Sequence, residues 1–260
     1  MSEPVNSPFY LQALKQCLSK QTKLMQKHSL SNGQTVWVRR AGARNSIWRY
    51  RLMKVAQKIS GIHMLQPVPN LGGITSLQTE AQRLQELARA GIYVPKILAQ
   101  QDNANMISDI GKNNLEKEWW LCHNEHKILL QRWQLGLNAI ANVHQHQQYL
   151  SESFARNMIF VNDSLIGFID FEDDPLSAMS LPQCHARDFL CYLHSGALLM
   201  TEFGVSAEAR ELWHNLIALQ PEAIQSIIHT SLHKIRWMRR LTAQFYGKDT
   251  LKLAAMANFT

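Results

Sequence analysis

A short hairpin set into an otherwise helical half of the chain constrains this sequence more than any other feature. Met158-Ile159-Phe160-Val161 and Leu165-Ile166-Gly167-Phe168-Ile169-Asp170 are rich in β-branched and aromatic residues and flank the turn Asn162-Asp163-Ser164. Before them, Glu125 to Gln147 carries Leu130, Trp133, Leu137, Ile140 and His144 at steps of three or four, the period of a long helix. After them, Glu208 to Phe245 holds two or three more helical stretches. The hairpin therefore has helices on both sides in the chain, and it ends on an aspartate.

The first half reads differently. Pro8 to about Lys27 has apolar residues at Phe9, Leu11, Leu14, Leu18 and Leu24, which predicts an N-terminal helix. Ser31-Asn32-Gly33-Gln34 predicts a hairpin through a type I′ turn, leading into the strand Thr35–Arg40. A helix is expected over Ser46 to Ile59, closed off by Pro67 and Pro69. Thr75 and Gln78 can form a capping box for a helix from Ser76 to Ala90, which Gly91 stops before the extended Ile92-Tyr93-Val94-Pro95. Met106 to Gly111 reads as a short strand running into a loop. Hairpin, helix and strands followed by helices around one hairpin make an α+β chain, with a small mixed part and a larger helical part.

Bulk properties narrow the function classes. The chain has 260 residues, 46% hydrophobic and 18% charged, the composition of a folded globular protein with a sizeable core. No apolar run reaches the roughly 18 residues of a membrane span, and Met1 to Tyr10, with Glu3 and two prolines, does not read as a signal peptide. Cys17, Cys122, Cys184 and Cys191 are scattered with no C-x-x-C pair, so reduced cytosolic thiols are expected rather than zinc or disulfides. His144 and His146 lack the i, i+4 spacing that suits zinc on a helix, so His144 is expected to pack or hydrogen-bond near the helix end. Trp119-Trp120 is expected to pack in the core or between the two parts.

Lys and Arg exceed Asp and Glu by 27 − 20 = 7, and the block Arg39, Arg40, Arg44, Arg49, Arg51, Lys54, Lys58 contains no acid. Such a block attracts phosphate-bearing partners, whether nucleic acid, anionic lipid or a nucleotide, or else is a solvated helix face. A cytoplasmic protein is expected, with segment 39–58 available for peripheral contact with the anionic inner face of a membrane. No recognised nucleic-acid motif is present, so nucleic acid is not the expected partner.

The chemistry sits around the hairpin. Phosphoryl transfer needs Mg²⁺ held against phosphates, a cation on the phosphates and often a carboxylate near the attacking hydroxyl. Magnesium keeps several waters, so one carboxylate and one amide oxygen suffice from the protein. Glu152, Asn157 and Asp170, with the hairpin between the last two, offer that set. Turn capping is the competing role for Asn157 and Asp170, and a solvated loop acid the competing role for Glu152.

Here the chain resembles the protein-kinase-like superfamily, which includes protein kinases, aminoglycoside phosphotransferases and lipopolysaccharide-core sugar kinases. In that superfamily a catalytic-loop aspartate precedes a metal-binding asparagine by five residues, and a second metal-binding aspartate follows by about thirteen. The spacings here are 157 − 152 = 5 and 170 − 157 = 13. Glu80 matches the helix glutamate that pairs with a phosphate-gripping lysine, Ser108-Asp109-Ile110-Gly111 the hinge, and Asp188 the later helix aspartate that steadies the catalytic loop. The resemblance spans about Ser29 to Leu193 and is nearest to lipopolysaccharide kinase-like proteins of Gram-negative bacteria.

It implies a two-lobed kinase-like fold in one domain over residues 1–260, with an N-lobe of about 1–111 and a C-lobe of 112–260. It further implies an ATP- and Mg²⁺-dependent transferase acting on a hydroxyl of a saccharide or of a protein Ser or Thr. Glu152 and Asp170 would be catalytic, Asn157 and Asp170 metal ligands, and Arg39, Glu80 and Asn157 the nucleotide-binding set. The sequence also departs from the pattern. Leu150-Ser151-Glu152 stands where His-Gly-Asp or His-Arg-Asp is usual, and a carboxylate displaced by about 1 Å can cost about 100-fold. The strand lysine is replaced by Arg39 or Arg40, a fork rather than a point charge, and no glycine-rich loop precedes the strand. A pseudokinase, a binding module without efficient transfer, is the alternative.

Overall fold

The alternation in Thr35–Arg40 puts Val36 and Val38 on one face of a strand and Trp37 and Arg39 on the other. That division organises the N-terminal part of the computed structural model, which describes residues 5–42, 72–241 and 247–260. Helix α1 (Pro8–Lys20) precedes strands β1 (Met25–Ser29) and β2 (Thr35–Arg40). Helix α2 (Gly73–Arg89) and strands β3 (Ile97–Gln101) and β4 (Ala104–Ser108) follow. The strands form an antiparallel sheet in the order β1-β2-β4-β3. Val36 and Val38, with Leu98, Ala99, Ala104 and Met106, pack on Tyr10, Ala13, Leu14 and Cys17 of α1. The opposite face, with Trp37, Arg39 and Ile107, turns toward α2 and the rest of the molecule.

A second, three-stranded antiparallel sheet joins β5 (Asn113–Asn114), β6 (Met158–Asn162) and β7 (Leu165–Phe168) in that order. Around it lie α3 (Leu115–Leu121), α4 (His126–Gln145), α5 (Leu181–Glu202), α6 (Ser206–Ile217), α7 (Glu222–Ile235) and α8 (Lys248–Met256). The chain is α+β, as expected. No helix among the described residues is long and apolar enough to cross a membrane. All four cysteines are free and buried.

Several boundaries differ from the sequence expectation. The first helix stops at Lys20 rather than near Lys27, because the Gln21 side-chain amide donates to the carbonyls of Lys23, Leu24 and Val38 and turns the chain. Met25–Ser29 then pairs with Thr35–Arg40 across the hairpin, so the ladder with the neighbouring strand overrides a weak helical period. In the hairpin, Gly33 (φ 81°) has positive φ and Asn32 does not. Gly33 N–H donates to Leu30 O at 3.0 Å, so the reversal is a turn closed by a left-handed glycine rather than a type I′ pair. Helix α2 begins at Gly73, so Thr75 lies inside its first turn and no capping box forms. Its end agrees with the sequence: Gly91 (φ 80°) is left-handed, and Ile92 N–H returns to Leu87 O at 2.9 Å. The helix expected over Ser46 to Ile59, Pro67 and Pro69, and Arg44 through Lys58 of the basic block lie outside the described residues.

The helical part is centred on Trp119, Trp133 and Tyr192, all fully buried, with ring centroids 4.8–5.6 Å apart. Two of the three polar edges are satisfied, since Tyr192 Oη donates to Trp133 O at 2.7 Å and Trp133 Nε1 to Ala209 O at 3.1 Å, while the buried Trp119 Nε1 has no hydrogen-bond partner. Gly196 lets these rings approach: a Cβ there would collide with the Trp133 ring and lie 2.9 Å from Trp119. Trp120, by contrast, is 47% exposed and packs edge-on against Phe203. Gly196→Ala is expected to lower the unfolding free energy by about 1–3 kcal/mol, the usual cost of overpacking a close-packed core. Urea unfolding of both proteins measures it, with the slope unchanged.

Candidate functional site

Between the two sheets lies a cleft of about 350 Å³. Its apolar wall comes from Met25, Trp37, Leu84, Ile107, Ile110 and Ile159, and its polar end from Arg39, Glu80, Asn157 and Asp170. Four of the five residues singled out in the sequence thus converge here, from a strand, a helix, a loop and the exit of a hairpin. The fifth, Glu152, lines an adjoining hollow of about 150 Å³ together with Asp170, Glu172 and Asp173. Asp170 is the wall the two spaces share.

Arg39 bridges the two parts of the protein. Strand pleating points it away from α1 and into the cleft, whereas Arg40 on the other face donates to Leu18 O. Its Nε lies 3.3 Å from Glu80 Oε1 and its Nη2 3.6 Å from Asp170 Oδ1, while Nη1 contacts Glu172 Oε1. Glu80 is 2% exposed. Burial pushes its carboxyl above the usual carboxylate range, Arg39 opposes that, and the charge of Asp170 adds to it. Glu172, two residues beyond Asp170, is thereby a partner of Arg39 as well.

The hairpin and its preceding loop set the other side. Asn157 Nδ2 donates to Glu152 O at 3.0 Å and lies 3.5 Å from Asp170 Oδ2, and Ile169 N–H donates to Asn157 O at 3.0 Å. The spacing of thirteen residues is thereby closed by the antiparallel register Met158↔Phe168. Asp170 has φ 73°, a left-handed conformation that is strained for most side chains and concentrates at functional sites. Among the described residues no group of three or more His, Cys, Asp or Glu converges to hold a metal. Asn157 and Asp170 form a smaller set. The Asn157 amide meets the Asp170 carboxylate through its nitrogen, so the pair would fit magnesium, which takes hard oxygen ligands and keeps several waters, only with the amide oxygen brought to that position.

Glu152 is half-buried and ion-paired with Arg156 at 3.2 Å. Burial first, then the charge of Asp170, pushes its carboxyl above the ordinary range, while Arg187 and Arg156 pull it back. A carboxyl raised in this way is better matched to proton transfer near neutral pH.

The loop carrying these groups is held from beneath by Asp188 of α5, which has no exposed surface. Its Oδ2 accepts from Leu150 N–H at 2.9 Å and pairs with His144 Nε2 at 3.0 Å, and its carbonyl accepts from Ser153 Oγ at 2.5 Å. Ala155 N–H donates to Ser195 Oγ of the same helix at 3.0 Å. His144 also stacks on His185, with centroids 3.9 Å apart. The expected loop-steadying position of Asp188 and buried packing of His144 are both present in this geometry.

Sequence reasoning missed two contributors, Lys27 and Arg83, and the contacts of a third, Asp109, which it placed only within the hinge-like segment. Lys27 lines the cleft, 2.7 Å from Asp109, but lay within the overextended first helix. Asp109 also accepts from Trp37 Nε1 at 3.1 Å, which fixes the segment Ser108–Gly111 along the cleft edge. Arg83 stacks on the Tyr149 ring at 3.9 Å and donates to Tyr149 O at 2.9 Å, tying α2 to the loop. No local pattern marks any of these, because each partner is distant in sequence.

No protein-family model matches the chain, and no curated protein matches it significantly.

Burial disfavours charge on both members of the Asp188–His144 pair, raising Asp188 to about 8 and lowering His144 to about 3. From pH of about 4 to 6.5 the pair holds one proton folded, as the unfolded chain does on its ordinary histidine. From about 6.5 to 8 the unfolded chain has released that proton while the folded pair keeps it, so stability falls as pH rises. Asp188→Asn keeps an oxygen for Leu150 N–H and has the shape of the protonated acid. The variant is expected to lose this decline between about pH 6.5 and 8. His185, whose titration depends in part on Asp188, is held by burial at about 4, below this window, so chemical unfolding of parent and variant across it isolates the pair.

Proposed function

We propose that the protein is a kinase-like phosphotransferase that uses ATP and Mg²⁺ to phosphorylate a hydroxyl, on a lipopolysaccharide-type saccharide or a protein side chain. The carrying observation is the convergence of Arg39, Glu80, Asn157 and Asp170 in one cleft, with Glu152 in a hollow across Asp170. Supporting it is the layout of the chain: a four-stranded sheet with helices α1 and α2, a cleft, then a helical part that carries the loop and hairpin, which is compatible with the arrangement expected of a two-lobed kinase-like fold.

In this reading the apolar wall of Trp37, Ile107, Ile110 and Ile159 receives the base, and Arg39, oriented by Glu80, presents its guanidinium to phosphate oxygens. Asn157 and Asp170 hold the magnesium ion, which neutralises charge on the transferring phosphoryl group. Glu152 accepts the proton of the acceptor hydroxyl, and the acid-lined hollow beside it is where that hydroxyl enters.

One observation favours the binding-module alternative. Arg39 is already partnered by Glu80, Asp170 and Glu172, so its positive charge lies where a metal ion would need Asp170. In a pseudokinase this self-contained network replaces the metal.

The experiments separate the readings. ATP with Mg²⁺ is expected to raise the melting temperature, by about 2.7 kcal/mol of stabilisation at a hundredfold excess over Kd. Asp170→Ala is expected to abolish the metal-dependent part of the shift; an equal shift in that variant sinks the metal assignment. Glu152→Gln is expected to lower ATP-dependent phosphorylation by about 10²–10⁴-fold with little change in nucleotide affinity. Equal, near-zero turnover in parent and variant supports the pseudokinase.

A further inference from the structure

From Ala223 to Lys248 the sequence contains no acid but carries Lys234, Arg236, Arg239, Arg240 and Lys248. The centre of this stretch is a short 3₁₀ turn, Arg236–Arg240, that caps α7. Ile235 and Met238 face inward, 4% and 8% exposed, and Arg239 donates to Ala257 O and Thr260 Oγ1, which fastens the turn to the C-terminal residues. The outward face is the unusual one. Trp237 is 66% exposed, and Arg236 and Arg240 beside it are exposed as well. Among the described residues neither of these arginines forms an ion pair.

We propose that this turn is a membrane-contact surface: Trp237 inserts at headgroup level while Arg236 and Arg240 engage anionic lipid headgroups. Tryptophan has an apolar ring with one polar N–H, and such side chains concentrate at the boundary between hydrocarbon and water. Leaving its ring in water forfeits the burial of a large apolar surface. Cations on either side supply the complementary attraction to an anionic leaflet. The buried Ile235 and Met238 and the anchored Arg239 keep the turn in one shape, so little ordering entropy is lost on contact.

The shape favours a bilayer over nucleic acid. Five residues of 3₁₀ turn rise only about 10 Å at roughly 2 Å each, whereas nucleic-acid binders spread six to ten phosphate contacts along a groove. Arg236, Trp237 and Arg240 line no part of the cleft, and the surface does not rest on the proposed activity.

The test is co-sedimentation of the full chain with vesicles of phosphatidylcholine alone and of phosphatidylcholine mixed with phosphatidylglycerol, at rising salt. Binding is expected only to the anionic vesicles and should weaken as salt screens the charges. Arg236→Gln with Arg240→Gln is expected to lower the partition coefficient by about 30-fold, roughly fivefold per cation. Trp237→Ala should lower it several-fold at every salt concentration. All three positions are exposed, and an unchanged melting temperature establishes that the variants are folded. Vesicle binding unaltered in both variants overturns the proposal, as does equal binding to neutral vesicles. Tighter binding to duplex DNA than to anionic vesicles, lost in the arginine variant, also overturns it and assigns the surface to nucleic acid.

Discussion

The buried carboxylate of Asp188 is the constraint on which the site depends. A carboxyl group with no exposed surface needs hydrogen-bond partners. Its Oδ2 accepts from Leu150 N–H and pairs with His144, while the Asp188 main-chain carbonyl accepts from Ser153 Oγ. Both Leu150 and Ser153 belong to the loop that leads to Asn157. Asn157 in turn reaches Glu152 O and approaches Asp170, so one residue of α5 sets the position of the acid-lined hollow. His144 and His185 seal this arrangement from below, and burial keeps both imidazoles neutral. A loop so held has few alternative conformations, which is the preorganisation that a site of this kind requires.

Arg39 plays the complementary part across the cleft. Its guanidinium is largely shielded and touches carboxylates from α2 and from the segment after the hairpin. Leaving Glu80 without it would strand a buried charge, which is strongly destabilising in other proteins. The same contacts couple the two sheets, so the closure of the cleft and the charge state of its acids are linked. The positive φ of Asp170 concentrates strain at the point where these contacts meet.

How legible this was depends on the range of the forces involved. Gly91 ends α2 where the sequence said it would, because a left-handed glycine is a local requirement. The hairpin Met158–Phe168 and helix α4 could be read from their apolar period, because each buries a face that its own residues define. Glu152, Asn157 and Asp170 could be grouped from their spacing, since the hairpin returns the chain by a fixed number of residues, whereas Arg39 and Glu80 were suggested by the resemblance alone. Strand β1 could not: Met25–Ser29 has no apolar pattern of its own and becomes a strand through its register with β2.

The amino-acid sequence by itself determined the α+β class and the bracketing hairpin, because these follow from periodicity and turn stereochemistry. Only the tertiary structure decided that Arg39 rather than Arg40 enters the cleft, since a strand's facing depends on which side α1 covers. It also made Glu172 a partner of Arg39 and set Arg83 on Tyr149, pairings that cross long stretches of chain. Ion pairs and stacks between distant residues depend on distances that no local pattern encodes, and they exist only once both parts have packed against each other.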